Sequence, residues 1–249
     1  MSFAPDPAAI RAFEERAFRA WPAFETRDFA GWRQRFADGY TKRSNSINAL
    51  SASAEVSAGA IAALEAPYRA AGRMPAWRLS PLAPPAMAEE LRRLGYREIE
   101  ESEVQLAQLD GSATLDPEAH IEEAPGAGWI TAQQRHNNVA PAQRPAMERL
   151  VRAVPAPAAF LSIGPAHDPL GCALGVLDGD HVGLCDVIIA PAARRQGLAR
   201  RLTESVYAWG FAHGARFAWL QVVATNTPAK ALYAAQGFRP VYRYRYLVP

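Results

Sequence analysis

The stretch DVIIAPAARRQGLARRL, from Asp186 to Leu202, constrains the fold of this chain more than any other. Its dense apolar run predicts a buried strand, Pro191 ends that run, and the residues after the turn carry apolar side chains at helical spacing. The first N–H groups of a helix lack partners within the helix and carry a partial positive charge, so together they attract anions. Arg194 and Arg195 add charge at this point. The stretch therefore predicts a strand–turn–helix unit that binds a phosphate, and preferably a pyrophosphate.

Small residues in the same turn favour close contact between the backbone and a ligand. Gly197 has no Cβ, Ala199 has the next smallest side chain, and Arg200 adds further positive charge. A turn without any ligand, in which Gly197 only shapes the backbone and the arginines face solvent, would be compatible with the same sequence. The turn is neither a G-x-x-x-x-G-K-[ST] loop nor the dinucleotide pattern G-x-G-x-x-G. By itself it indicates an anion site and leaves the ordinary turn open.

The composition narrows the class of protein. The chain has 249 residues, of which 49% are hydrophobic and 21% charged, as in a soluble globular protein with a core. Its net charge is only +2, whereas a dedicated nucleic-acid binder usually has a strong basic excess. We find no signal-peptide pattern and no run of about 20 apolar residues. We therefore expect a cytoplasmic protein with no nucleic-acid and no membrane partner. Cys172 and Cys185 lack metal-ligand spacing, so no metal is expected.

An acidic stretch, DGSATLDPEAHIEEAPGAG, starts at Asp110 and divides the chain. Its Pro and Gly content and its lack of apolar periodicity indicate a linker or a poorly packed crossover strand. We therefore expect a first domain at 1–110, a linker at 111–125 and a second domain at 126–249. Helices and strands are predicted in a similar order in both halves. This order is compatible with an internal duplication but does not establish one.

The run GCALGVLDGDHVGLCDVIIAP predicts two strands joined by a tight turn at Asp178 and Gly179. With a two-residue turn there, Cys172 faces Cys185 at a pair without hydrogen bonds, where side chains approach most closely. In a reducing compartment we expect two packed thiols.

A second motif, VVATNTPAKALYAAQGF, follows the first. Together the two motifs resemble the GCN5-related N-acetyltransferase (GNAT) family. The family pattern R/Q-x-x-G-x-G/A is matched by Arg194, Gly197 and Ala199. The family pattern N-x-x-A-x-x-L-Y-x-x-x-G-F is matched by Asn226, Ala229, Leu232, Tyr233, Gly237 and Phe238. The first half has LSASAEVSAG where a pyrophosphate loop is expected, and it lacks the second pattern.

This resemblance implies a fold and an activity. The implied fold is α/β (α+β): a mixed, mostly antiparallel twisted sheet flanked by helices, in two tandem copies of which the first is degenerate. The second copy would be the catalytic domain, with acetyl-CoA as its co-substrate and no metal. The implied reaction is direct transfer of an acetyl group to a primary amine of a small molecule or a protein. A non-catalytic acetyl-CoA sensor and an interaction module are the alternatives.

The resemblance also implies which residues contact acetyl-CoA. The strand would pair with the pantetheine arm, the turn and helix start would bind the pyrophosphate, and Asn226 would contact the pantetheine or an ordered water. The implied contacts are Val187, Ile188, Ile189, Arg194, Arg195, Gln196, Gly197, Leu198, Ala199, Arg200, Asn226, Ala229 and Tyr233.

Two side chains are candidates for the proton transfers. Tyr233 occupies the family's position for the acid that protonates the departing thiolate, with a packed helix aromatic as the alternative. Asp186 is the best-placed carboxylate to deprotonate the amine, although a strand-edge charge and a base made of water are both consistent with the sequence. A backbone N–H at Ile188 or Ile189 would stabilise the oxyanion.

The acceptor amine is not identified by the sequence. In this fold its pocket lies among the first helices, the hairpin and the last strands. Those segments carry Trp129, His136, Asn137 and Asn138. The last strand carries Tyr242, Tyr244 and Tyr246 on one face, which would line the pocket or pack on the first half or on a second subunit, so a homodimer stays open. Arg243 and Arg245, on its other face, would favour an acidic acceptor.

Overall fold

The computed structural model describes residues 6–249. The helices are α1 (Pro7–Ala20), α2 (Ala58–Ala70), α3 (Met87–Arg93), α4 (Ala127–His136), α5 (Arg144–Arg152), α6 (Leu198–Ala212) and α7 (Thr227–Ala235). The strands are β1 (Glu25–Phe29), β2 (Trp32–Phe36), β3 (Ile47–Ala49), β4 (Trp77–Leu79), β5 (Arg97–Gln108), β6 (Ala119–Glu122), β7 (Ala158–Ile163), β8 (Gly171–Asp178), β9 (His181–Ile189), β10 (Phe217–Val223) and β11 (Arg239–Val248). None of these helices is long and apolar enough to cross a membrane.

The chain forms two compact units. Unit 1 contains the described residues up to Val104 together with Val222–Thr227 and Pro240–Pro249, and unit 2 contains Gln105–Gln221 and Pro228–Arg239. Almost all of the last strand, β11, therefore lies in unit 1, although the sequence pattern assigns it to a second domain. The expected linker at 111–125 lies in unit 2 and includes strand β6. The domain limits themselves stay a prediction.

Unit 1 has the strand order β1-β2-β3-β4-β11-β5. The β1–β2, β2–β3 and β4–β11 pairs are antiparallel, and the β3–β4 pair is parallel. Strand β1 is exposed at every residue, as expected for a charged edge strand. Helix α1 is capped by Asp6, whose side chain accepts a hydrogen bond from the N–H of Ala8, and its first residue is Pro7.

The core of unit 1 combines aromatic rings with a buried ion pair. Trp32 and Trp77 pack edge to face with their ring centroids 5.0 Å apart. Arg78 forms a buried ion pair with Glu14, and the hydroxyl of Tyr242 donates to the same carboxylate at 2.5 Å. The guanidinium of Arg78 also lies 3.6 Å from the ring centroid of Tyr244. Residues of β11 therefore complete both the sheet and the charge balance of this core.

Unit 2 has the strand order β10-β9-β8-β7-β6. Neighbours from β6 to β9 are antiparallel, whereas β9 and β10 are parallel. Helix α6 packs closely on this sheet, because a Cβ at Gly210 would lie 2.8 Å from the side chain of Val182. A mixed, mostly antiparallel sheet flanked by helices is the predicted fold class, which is confirmed.

The β8–β9 hairpin differs from the expected register. Asp178 pairs with His181, so the turn residues are Gly179 and Asp180, one position later than predicted. The register then shifts between Cys172 and Leu174, which marks a β-bulge in β9. As a result Cys172 faces Ile188 and Cys185 faces Leu174. The expected pairing of the two cysteines is wrong: both are buried, and they form no disulfide with each other.

Candidate functional site

The segment between β9 and α6 presents an open helix start. After β9 the chain makes a short 3₁₀ turn at Pro191–Ala193, and residues 194–197 are exposed before Leu198 begins the helix. Arg195 has φ +60° and Gly197 has φ +80°, both in the left-handed region. Gly197 occupies the N-cap position, and no side chain forms a capping hydrogen bond there. The backbone polar groups at this helix start are thus left to solvent or a ligand.

Several N–H groups of this segment are available to an anion. Within residues 6–249, the N–H groups of Arg195, Gln196 and Gly197 have no acceptor. The first hydrogen bond of the helix runs from the N–H of Arg201 to the carbonyl of Gly197, at 3.1 Å. A Cβ built on Gly197 would meet nothing within 4 Å. A phosphate can therefore approach these groups, and the helix dipole favours its negative charge.

The arginines of this segment differ in their partners. Arg194 is exposed, and its Nε donates to the carbonyl of Ile189 at 3.4 Å. Arg200 pairs with Glu204 at 2.7 Å on the helix surface. Arg195 is exposed and makes no ion pair with any acidic residue that the structure describes. The charge at the loop therefore comes chiefly from Arg194 and Arg195.

The corresponding helix start in unit 1 is closed by its own side chains. Helix α2 is capped by Ser57, whose Oγ accepts from the N–H of Ala60 at 3.1 Å. The same hydroxyl donates to a carboxylate oxygen of Glu55 at 2.6 Å. A side-chain cap together with a carboxylate makes this helix start unsuited to a phosphate.

Tyr233 lies on α7 with its side chain in the interior of unit 2. The residue is 8% exposed, and its ring centroid lies 5.9 Å from that of Phe238. Burial raises the pKa of the Tyr233 phenol to about 12, and the nearby thiol of Cys185 acts in the same direction. The phenol therefore keeps its proton at neutral pH.

The bulge in β9 is centred on Asp186. This residue has φ +47°, which is unusual for a residue other than glycine. Its carbonyl accepts a hydrogen bond at 2.6 Å from Nε2 of Gln133 on α4. The residues that follow, Val187, Ile188 and Ile189, are half-buried.

Strand β9 is paired with β10 over only part of its length. The parallel pairs run from His181 with Phe217 to Leu184 with Leu220, and β9 continues to Ile189. The bulge and the open helix start both follow the last of these pairs. The unit thus combines a strand whose pairing with its parallel neighbour ends at Leu184 with a helix start that can bind an anion.

The sequence matches the model of a family described as "Probable histone acetyltransferase Rv0428c C-terminal" over residues 7–247. The chain belongs to this family. It is similar to "Uncharacterized N-acetyltransferase YobR" of Bacillus subtilis (strain 168), with 25% identity over 248 residues, 96% of this chain and 98% of the relative.

Solved structures of GNAT proteins share the fold. A GCN5-related N-acetyltransferase from Kribbella flavida has a TM-score of 0.67 at 17% identity, and the match covers 100% of this chain and 96% of that one. A tandem GNAT protein from the clavulanic acid biosynthesis pathway has a TM-score of 0.61 at 12% identity, with 95% and 86% of the two chains covered. The predicted resemblance to tandem GNAT proteins is confirmed, and the protein is an acyltransferase of the GNAT type.

Other residues singled out in the GNAT motifs lie in both units. Leu198 is buried, and Ala199 and Ala229 are half-buried in unit 2. Asn226 lies in unit 1, where it is exposed and its N–H donates to the carbonyl of Val223 at 2.9 Å. The roles assigned to these residues by the GNAT patterns stay predictions.

Some residues expected at the acceptor pocket of this GNAT protein are engaged in packing, hydrogen bonds or ion pairs instead. Trp129 is buried, and its indole N–H donates to the carbonyl of Ala173 at 3.2 Å. In β11 the three tyrosines are buried, as expected for packing, and Arg243 is paired with Glu101 and Glu103 in unit 1. These partners already neutralise Arg243, so the structure gives it no role in attracting an acidic acceptor.

Gln133 was not expected from the sequence to belong to the GNAT site. It is fully buried on α4, and it contacts Asp186, which lies far along the chain. A single glutamine in a helix carries no pattern that would single it out. Only the tertiary structure brings it to the bulge.

Proposed function

We propose that the protein is an N-acetyltransferase that moves the acetyl group of acetyl-CoA directly to a primary amine of a small molecule or a protein. The observation that carries this proposal is the start of α6, which has exposed N–H groups, no side-chain cap and Gly197 at φ +80°. Membership of an acetyltransferase family agrees with this assignment.

In the proposed complex the donor binds along β9 and the loop after it. The N–H groups from Arg195 to Ala199 donate hydrogen bonds to the pyrophosphate, and the side chains of Arg194 and Arg195 offset its charge. The pantetheine arm adds to β9 at Val187–Ile189 as an extended strand would. Asn226 stays a predicted contact of the pantetheine.

The proposed reaction is one displacement at the thioester carbonyl. The amine nitrogen forms a bond to the acetyl carbon, the C–S bond breaks, and the thiolate of coenzyme A leaves with the electron pair. An N–H of β9, at Ile188 or Ile189, stabilises the oxyanion. Tyr233 supplies a proton to the thiolate, and the raised pKa of Tyr233 keeps its phenol protonated until that step. Asp186 or a water takes the proton that the amine loses.

Two measurements on the full chain test this proposal. Calorimetric titration is expected to give one acetyl-CoA per chain, because the start of α2 is closed by Ser57 and Glu55. Release of free coenzyme A, followed with a thiol reagent across a panel of amines, is expected to identify at least one acceptor. Binding of acetyl-CoA without turnover for any amine would instead support a sensor.

A further inference from the structure

The bulge in β9 holds an L-residue in an unfavourable backbone conformation. Asp186 has φ +47°, and the left-handed region costs about 1 kcal/mol for a residue other than glycine. Such a conformation persists only where the surrounding structure fixes it. The neighbours of Asp186 therefore determine whether β9 keeps its bulge.

The buried amide of Gln133 is one of those neighbours. Its side chain has no exposed surface, and its Nε2 donates to the carbonyl of Asp186 at 2.6 Å. Because a carbonyl can only accept, the donor end of the amide must face Asp186. The other end, Oε1, accepts from Nδ2 of Asn137 at 2.5 Å. Both ends of the amide are engaged, so its orientation is fixed.

Fixing the carbonyl of Asp186 also fixes the next N–H group. The peptide is planar and trans, so the carbonyl of Asp186 and the N–H of Val187 point in opposite directions. We propose that Gln133 is a positioning residue for acyl transfer, whose buried amide holds the Asp186–Val187 peptide so that the N–H of Val187, and with it the N–H groups on the same edge of β9, are oriented toward the acyl donor. This inference rests on the proposed function.

Two substitutions test the role of Gln133. Gln133→Met keeps a similar volume without a donor, and we expect kcat to fall about tenfold or more because the N–H groups of β9 lose their alignment. Gln133→Glu places a carboxylate against the carbonyl of Asp186. Burial raises the pKa of such a carboxyl, and its protonated form can again donate to the carbonyl. Activity of Gln133→Glu relative to the natural protein should therefore increase as the pH falls.

A matched control is available on the same helix. Gln134 is the next residue and is half-buried, and Gln134→Glu should keep the pH profile of the natural protein. A purely structural role of Gln133 would lower the activity of Gln133→Glu by the same factor at every pH. That result, or an unchanged kcat in Gln133→Met, would overturn the proposal.

Amide hydrogen exchange gives a readout that needs no acceptor amine. In Gln133→Met we expect faster exchange confined to the peptide that covers His181–Ile189, and unchanged exchange there would contradict the inference. If the natural protein itself transfers no acetyl group, the proposed function fails, and the exchange result still decides whether Gln133 holds the bulge. Should the Met variant not fold, the pH profile of Gln133→Glu decides.

Discussion

At Tyr233, burial and a neighbouring thiol both favour the protonated phenol. A group that must deliver a proton to a thiolate has to hold that proton until the C–S bond breaks. The packing of its ring on Phe238 also keeps the hydroxyl in one place. These properties suit an acid, whereas a residue needed only for packing gains nothing from its hydroxyl.

Removing the hydroxyl of Tyr233 should therefore affect turnover more than stability. For Tyr233→Phe we expect kcat to fall about 100-fold, within the range for one general acid, since the ring still packs on Phe238. The measurement is steady-state release of coenzyme A. Tyr207→Phe is the matched control, because Tyr207 is also buried in unit 2 and its pKa is also raised by burial. Equal losses in the two variants would argue against an acid at Tyr233.

The two thiols should be protected in the folded protein. Burial raises the pKa of Cys172 from its usual 9.0 to about 12, so very little thiolate exists at pH 8. We expect a disulfide reagent such as DTNB to react slowly with the folded protein at pH 8 and with two thiols per chain in urea. Because the pKa of Cys172 is higher in the folded protein than in the unfolded chain, the free energy of unfolding should fall as the pH rises from 9 toward 12. Fast labelling of Cys172 in the folded state would contradict its burial.

At the scale of the element, the loop before α6 depends on one backbone conformation. Gly197 has φ +80°, and the space beside its Cα is open. A side chain at this position would strain the backbone and project into the space that the proposed ligand occupies. Two effects of a substitution can therefore be separated, one on stability and one on ligand affinity.

Gly197→Ala should weaken the binding of acetyl-CoA. We expect KM for acetyl-CoA to rise about tenfold, equivalent to about 1.4 kcal/mol, together with a loss of about 1 kcal/mol in the free energy of unfolding. Gly179→Ala is a close control, because Gly179 has φ +62° in the β8–β9 turn and also has open space beside it. The control should lose similar stability with KM unchanged. A rise in KM in both variants would mean that strain alone is responsible.

Much of unit 2 could be predicted from sequence, and the exceptions have physical causes. Helix α6 and strand β9 were predicted because their apolar periodicity is strong and Pro191 separates them. The hairpin register was not predicted, since the turn lies one residue later than expected and the bulge depends on a left-handed aspartate that no glycine marks. The contact of Gln133 with Asp186 could not be predicted either, because it joins two elements that are distant in the chain.

At the scale of the whole molecule, a compact unit is not the same as a continuous piece of chain. Strand β4 pairs with β11 through Leu79 with Arg245, Arg78 with Tyr246 and Trp77 with Leu247. The buried residues of β11 are Tyr242, Tyr244, Tyr246, Leu247 and Val248. A fragment that stops before β11 would expose the edge of β4 and leave the Arg78–Glu14 pair without two of its aromatic neighbours.

A fragment covering residues 6–110 should therefore fail to fold cooperatively. We expect no sharp thermal transition by circular dichroism, since the sheet of unit 1 lacks β11. The same fragment carrying residues 238–249 on a long Gly/Ser linker should recover that transition. Equal, cooperative melting of the two fragments would show that β11 is dispensable for unit 1.

The discontinuity of unit 1 also affects how the protein can form during synthesis. Domains generally fold as they emerge from the ribosome, with the N-terminal one first. Here Pro240–Pro249 emerges only after every residue of unit 2, so unit 1 cannot be completed until all of unit 2 has been synthesised. Until then the earlier strands of unit 1 wait with an open edge at β4. A nascent chain stalled before β11 would thus be a natural client for chaperones that bind unpaired strands.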